Sequence, residues 1–298
     1  MSPALRLLAC GPGLTVQDAG RFGLRRYGVA WAGAADRARH ALANALAGNP
    51  AEAAALEVTM AGARIAVRGG PVRLAAVGAR LAIEAGPVPP DTAIDLADGA
   101  EANLSAARPG VYGYLAVSGG VQVAPEMGSR SAHLRSGLGG GALEAGATLP
   151  CGPAPAGAPL RFPGDLPAPG GPVRVVRGPQ EDRFAEGAWA RLLDTAWRVH
   201  PRSDRMGMRL EGPALPHRDG ADIVSDAVLP GAVQVPGDGR PLVLMRDCQT
   251  TGGYPKIGCV IAADLDRLAQ SPPGAALRFA EVSAEAGLAA TRDYLRRL

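Results

Sequence analysis

Residues 247–258 carry the densest set of reactive side chains in the chain: Asp247, Gln249, Thr250, Thr251, Tyr254 and Lys256, an acid, an amide, two hydroxyls, a phenol and an amine. Gly252 and Gly253 lie among them, and glycine lets a backbone take positive φ and approach a bound group closely. Lys256 is the only lysine among 31 basic side chains. A lysine ammonium is a compact cation whose pKa moves on burial, which an arginine cannot match. Apolar runs at 242–245 and 259–263 flank the stretch and read as core strands, so it is a polar loop on a rigid scaffold, where sites are commonly carried. The plainer alternative is a Gly-Gly hairpin turn with solvated side chains.

Other polar residues are spaced for anion contacts. Arg205, Gly207 and Arg209 alternate; on a strand, the two guanidiniums would share one side, and two forks aimed one way suit a carboxylate or phosphate. They could equally be two surface arginines. Gln234 is flanked by valines, and its amide needs a partner if buried. Arg130 stands between Ser129 and Ser131, as an anion contact or a loop brace. Asp18 and Arg21 are candidates for polar contacts or for an ion pair fixing a loop, and Asp36 precedes a helix as an N-cap would. Glu57 alternates with apolar residues on a strand, where a carboxylate is ordinarily solvated.

Several chemistries lack support. The four histidines have no metal-site spacing, and the four cysteines form no C-x-x-C pair. No phosphate-binding G-x-x-x-x-G-K-[ST] loop exists, and Gly137–Ala142 matches G-x-G-x-x-A without the helix that a dinucleotide site requires. A net charge of +3 gives no case for nucleic acid.

The elements that must hold these residues are mostly strands. Apolar residues make up 47% but aromatics only 4%, so the core is built of Ala, Val and Leu. The 41 glycines and 27 prolines suit many short strands joined by turns. Helical spacing appears at 38–46, 181–196, 264–269 and 284–298, and 277–279 reads as a closing strand. Residues 150–172 hold eight prolines and five glycines and read as a linker or wrapped connection. The domain expectation is therefore 1–149, a connection at 150–172, and 173–298. Leu7-Leu8-Ala9-Cys10 looks like a lipoprotein box, but the apolar run before it is too short for a signal segment, and no run is long enough to cross a membrane. A cytoplasmic protein is the expectation.

Asp247 to Tyr254, read as D-x-Q-T-T-G-G-Y, resembles the signature of the biotin-dependent carboxyltransferase-like family. So do T-x-Q-D-x-G-R-x-G from Thr15, the asparagines Asn44 and Asn49, Leu56-Glu57, Y-L-A-V-x-G-G from Tyr114, G-S-R-S from Gly128, S-x-R-M-G-x-R-L-E-G from Ser203, and Gln234-Val235-Pro236. Met127, Ala142 and Cys248 depart from the pattern, the last where arginine is usual. That family includes the C-type subunit of 5-oxoprolinase, the antagonist of a sporulation kinase inhibitor, and the carboxyltransferase region of urea carboxylase. The resemblance implies a mostly β architecture of two units with cyclophilin-like β-barrel character. It implies a chain that, with companions of the 5-oxoprolinase A and B type and ATP with Mg²⁺, opens the lactam of 5-oxoproline to glutamate. Biotin enters only under the carboxyltransferase alternative, and the third alternative is a non-catalytic regulatory partner. On this reading Arg205, Arg209 and Lys256 contact anions, and Gln249, Thr250 and Thr251 orient substrate. Asp247 positions water or metal, and Gly252, Gly253, Tyr254, Gln234, Arg130, Asp18, Arg21 and Glu57 line the site.

Overall fold

The computed structural model describes residues 2–164 and 171–298 and is mostly β. The chain divides into two compact units, Met1–Arg21 with Ala32–Pro167, and Phe22–Trp31 with Ala168–Arg297. The segment Phe22–Trp31 thus groups with the second unit, although by sequence it falls inside the first.

The first unit is built from two antiparallel sheets. One has the order Thr148–Pro150, Ala4–Cys10, Ala63–Arg68, Glu101–Ala107, Ala79–Ile83, Gly86–Pro87; the other runs Thr15–Gln17, Ala55–Val58, Gly113–Val117, Val72–Val77, Ala93–Leu96. Leu5, Leu7, Ile65, Val67 and Leu104 of the first sheet share one core with Val16, Leu56, Leu74 and Leu115 of the second. Alternation leaves Arg6, Arg64 and Arg68 exposed on the outer face of the first sheet. The second sheet has no such face: every residue of Val72–Val77 and Gly113–Val117 is buried. The helix Arg37–Ala47 covers it, with His40 edge-on to Tyr114 at 5.6 Å. That helix begins where Asp36 accepts from the Arg39 N–H and ends at Gly48, whose φ of 81° suits glycine.

Residues 151–164 wrap against this unit rather than hanging free. The Ala154 N–H bonds to the Pro71 carbonyl, and Ala93 and Phe162 bond across to Leu160 and Asp91. Arg73, only 3% exposed, forks onto Asp95 at 2.7 and 2.9 Å and also donates to the Gly157 carbonyl at 2.6 Å. The remainder of the proline-rich stretch, 165–170, lies outside the described residues.

The second unit is an eight-stranded, nearly closed barrel. Its order is Ala276–Leu277, Trp197–Val199, Gly207–Glu211, Leu242–Leu244, Ala232–Gln234, Lys256–Val260, Val173–Arg177, Phe279–Glu281. The single closing strand expected at 277–279 is instead two strands separated by Arg278, one at each end of the sheet. Arg278 alone therefore carries the chain from one end of the sheet to the other, which brings those ends close to closure. The helix expected over 181–196 is also broken: a short turn at Glu181–Arg183 precedes Ala188–Asp194, and Gly187 between them has φ 79°. Helices Ala262–Ala269 and Ala284–Leu295 follow. No helix among the described residues is long and apolar enough to cross a membrane.

Replacing Arg73 with alanine strands the Asp95 carboxylate and frees the 151–164 wrap. It should destabilise the first unit by about 2 kcal/mol, toward the lower end for a broken pair because Asp95 is partly exposed. Amide exchange at Ala154 and Gly157 should accelerate with it. Unchanged melting and exchange would show that the wrap is held without this residue.

Candidate functional site

The strands flanking the 247–258 loop are not neighbours. Ala232–Gln234 lies between Leu242–Leu244 and Lys256–Val260 and pairs with both. The loop is therefore no hairpin turn; it crosses the end of an intervening strand. That strand ends at Gln234, where a register shift bends it. Gln234 is 1% exposed and donates to the Tyr254 carbonyl at 3.3 Å. A Cβ on Gly252 would stand 2.6 Å from the Gln234 amide nitrogen, so a larger residue here must push that amide aside.

Over the barrel end, Thr251–Gly252 pairs with Asp226–Ala227 as a small antiparallel ribbon. The ribbon delivers a carboxylate to the lone lysine. Lys256, on the first position of a core strand, has a side chain only 7% exposed and meets Asp226 at 2.5 Å. Its ammonium also donates to the Ala227 carbonyl at 3.1 Å. Gln180, on the turn after Val173–Arg177, spans the pair, accepting from the Lys256 N–H at 3.1 Å and donating to Asp226 at 3.2 Å. Lys256 holds the Asp226 carboxyl below the usual 3.8, with the Ala227 N–H and Gln180 adding to it. An ammonium has three donors; two are committed here, to Asp226 and the Ala227 carbonyl. Gln249, Thr251 and Tyr254 are exposed and Thr250 and Gly253 half-buried beside it.

Asp247, expected to position water or metal, is paired within the chain. Its carboxylate is 5% exposed and receives a bidentate fork from Arg205, both bonds 2.8 Å. The Asp247 N–H also bonds the Arg205 carbonyl, and Met245 bonds Met206, so this pair anchors the base of the loop. Arg205 precedes the strand Gly207–Glu211 while Arg209 sits exposed on it, so the two do not alternate along one strand. Cys248 is fully buried against Val228, Ala232 and Leu244, and burial pushes its thiol up to about 11, which makes it inert.

Asp18, Arg21, Glu57 and Arg130 belong to the first unit, and each is engaged there. Asp18 accepts from the Ser129 and Ser131 hydroxyls at 2.6 and 2.5 Å and from the Arg130 and Gly20 N–H groups at 2.6 and 2.8 Å. Burial raises its carboxyl, but these four bonds outweigh that and hold it below the usual value. Arg21 donates to the Glu126 carbonyl and Arg130 to that of Val123. Glu57, expected on a solvated face, is 1% exposed because the helix covers its side of the sheet; it accepts from Tyr114 at 2.7 Å and the Ala35 N–H at 2.9 Å.

Sequence reasoning missed Asp226, Gln180 and Arg25. The lone lysine was the available signal for the first, since a buried cation demands a counter-charge. No local pattern pointed to Gln180, or to Arg25, which donates to the Val228 and Gln249 carbonyls at 2.7 Å each. Arg205 is paired with Asp247 and Lys256 with Asp226, so neither brings an uncompensated charge to a nucleotide phosphate.

The family profile described as carboxyltransferase domain, subdomain A and B, matches residues 27–281. The chain belongs to the carboxyltransferase-domain family. It is 36% identical over 296 residues to the 5-oxoprolinase C subunit of Escherichia coli (strain K12), across 98% of this chain and 96% of that one. The solved structure of TTHA0988 is 35% identical with a TM-score of 0.84, and 94% of this chain spans 56% of it. The Kluyveromyces lactis urea carboxylase structure is 25% identical with a TM-score of 0.88, and the whole chain spans 29% of it. In this family fold, the Lys256 pair stands at the end of the barrel-like sheet.

Two outcomes check the geometry. Gly252→Ala should displace Gln234 and cost about 1–3 kcal/mol by overpacking; a variant as stable as wild type would show that the amide has room. The Asp226 carboxyl, followed by carbon NMR, should titrate below 3.8. Because its folded pKa is depressed, the pair contributes above the ordinary carboxylate value and is lost only as pH falls through the lowered one. A midpoint at or above 3.8 would mean that Lys256 does not hold it.

Proposed function

We propose that this chain is the C-type component of an ATP-dependent 5-oxoprolinase and that the Lys256–Asp226 pair, with the loop beside it, meets the substrate. The observation that carries this reading is the likeness to the 5-oxoprolinase C subunit, 36% identity across 98% of the chain. The reaction opens the lactam of 5-oxoproline. The ring C–N bond breaks, and water supplies a hydroxyl to the carbonyl carbon and a proton to the nitrogen, giving glutamate. An amide carbonyl resists water, and the step is eased by a fixed donor aimed at the oxygen on which charge develops. The third N–H of the Lys256 ammonium suits that role, because Asp226 and the Ala227 carbonyl orient the group and its burial strengthens the field it exerts. Gln249, Thr250 and Thr251 offer neutral donors and acceptors to orient a small polar ring. Asp247 is assigned to loop anchoring.

The reading makes the chain one component of a cytoplasmic complex with companions of the A and B type. ATP and Mg²⁺ belong to that complex, and no nucleotide contact is assigned to the residues of this loop. Fold likeness to urea carboxylase supports a second reading, transfer of a carboxyl group from biotin. The chain would then need a carrier from elsewhere, because its one lysine, Lys256, follows proline rather than the methionine of a biotin-accepting Met-Lys pair.

Glutamate release from 5-oxoproline and ATP by the purified assembly, with and without this chain, separates the readings. The expected result is release that requires the chain. Release that continues without it removes the chain from the reaction; a stable assembly without release, together with capture of a biotinylated carrier, favours carboxyl transfer.

A further inference from the structure

The ribbon that brings Asp226 to Lys256 is short. Its pairing runs through Asp226–Gly252 and Ala227–Thr251, extended by a bond from the Val228 N–H to the Thr250 carbonyl at 3.1 Å. At the opposite end, the Ile223 N–H bonds the Gly253 carbonyl at 2.9 Å. Two-stranded ribbons of this size do not hold their shape alone. Beyond Val228 and Thr250 the ladder stops, and the next carbonyls, those of Val228 and Gln249, are joined by one atom. Nη2 of Arg25 donates to both, at 2.7 Å each.

Arg25 is itself held in place. It opens the 3-10 turn Arg25–Tyr27, which Gly28 ends with φ 82°. Its guanidinium lies 5.3 Å from the Trp31 ring centroid, and Trp31 packs against Phe22 at 5.5 Å. The segment Phe22–Trp31, which groups with the second unit, therefore forms a small platform for one cation. Nη1 of Arg25 is buried with no hydrogen-bond partner. A guanidinium serving only as surface charge would not carry that penalty. Here it is offset by charge-assisted bonds to two carbonyls, which are stronger than neutral ones.

We propose that Arg25 is a positioning residue for the Lys256 site. By bridging the Val228 and Gln249 carbonyls it fixes the ribbon, and the ribbon fixes Asp226 against Lys256 and sets the direction of Gln249 and Thr250. Its consequence for turnover rests on the functional reading above; its consequence for geometry does not.

The single lysine makes the geometry measurable. In the full chain, acetylation of the Lys256 amine by an activated ester, followed by peptide mass, reports how often the pair with Asp226 opens. Arg25→Ala should raise that rate about tenfold, the equivalent of about 1.4 kcal/mol of local opening, with the melting temperature little changed. Arg25→Gln, which keeps one donor, should fall between. Arg26→Ala is the control: Arg26 is exposed and stacks on Tyr27 at 4.8 Å, and its loss should leave the rate at the wild-type value. Wild-type labelling in Arg25→Ala overturns the proposal whatever the turnover. Labelling that rises in both Arg25 variants only in proportion to global unfolding overturns it too, since Arg25 would then serve the fold as a whole. Raised labelling in a stable variant whose assembled complex turns over normally supports the positioning role and removes the Lys256 site from catalysis.

Discussion

A single charge placed in the wall of a barrel governs this site. Lys256 occupies the first position of a core strand, and an ammonium so placed must find a counter-charge and acceptors or lose its proton. Nothing on the neighbouring strands provides the carboxylate. It comes from Asp226, on a ribbon formed when the loop folds back over the end of Ala232–Gln234. The loop's path, the bend at Gln234, the small residue at 252 and the clasp of Arg25 all follow from the need to bring that carboxylate within reach. The arrangement sets the ammonium at the edge of a loop rich in exposed hydroxyls and amides.

The base of the loop is fixed separately. Asp247 and Arg205 neutralise one another in a nearly buried bidentate pair, and backbone bonds from Met245 and Asp247 zip the same segments together. Two acids of the same stretch of fold thus have opposite fates: Asp247 is consumed as an anchor, whereas Asp226 stands half-exposed beside the lysine. Two buried acids of the first unit are engaged in the same way. Asp18 collects four hydrogen bonds, and Glu57 braces Tyr114 and the start of the helix.

The mostly β fold was legible from alternation and from the abundance of glycine and proline, and the helix Arg37–Ala47 from its N-cap aspartate, apolar spacing and terminal glycine. The lone lysine drew attention to 247–258, where the structure pairs it with Asp226. What could not be read was set by pairing between distant segments. Leu277-Arg278-Phe279 looks like one strand, yet closure of the barrel splits it between the two ends of the sheet. The apolar runs around the loop look like a hairpin, yet a third strand separates them. Phe184 and Leu192 share helical spacing, but Gly187 breaks the helix between them. Burial of Glu57 depends on a helix crossing its sheet, and the engagement of Asp247 depends on Arg205, 42 residues away; neither shows in local pattern.

The central question is whether Lys256 acts at the reacting carbonyl or only stabilises the barrel end. The direct measurement is the turnover of 5-oxoproline to glutamate by the assembled complex carrying Lys256→Met, with assembly and melting checked in the same preparation. Methionine keeps the length and apolar stem of lysine and removes its donors. If Lys256 acts at the carbonyl, the assembly stays intact and kcat falls about 10²-fold or more, the loss expected when a preorganised donor to a developing oxyanion is removed. An intact assembly with wild-type kcat would contradict that role and leave Lys256–Asp226 as a structural ion pair.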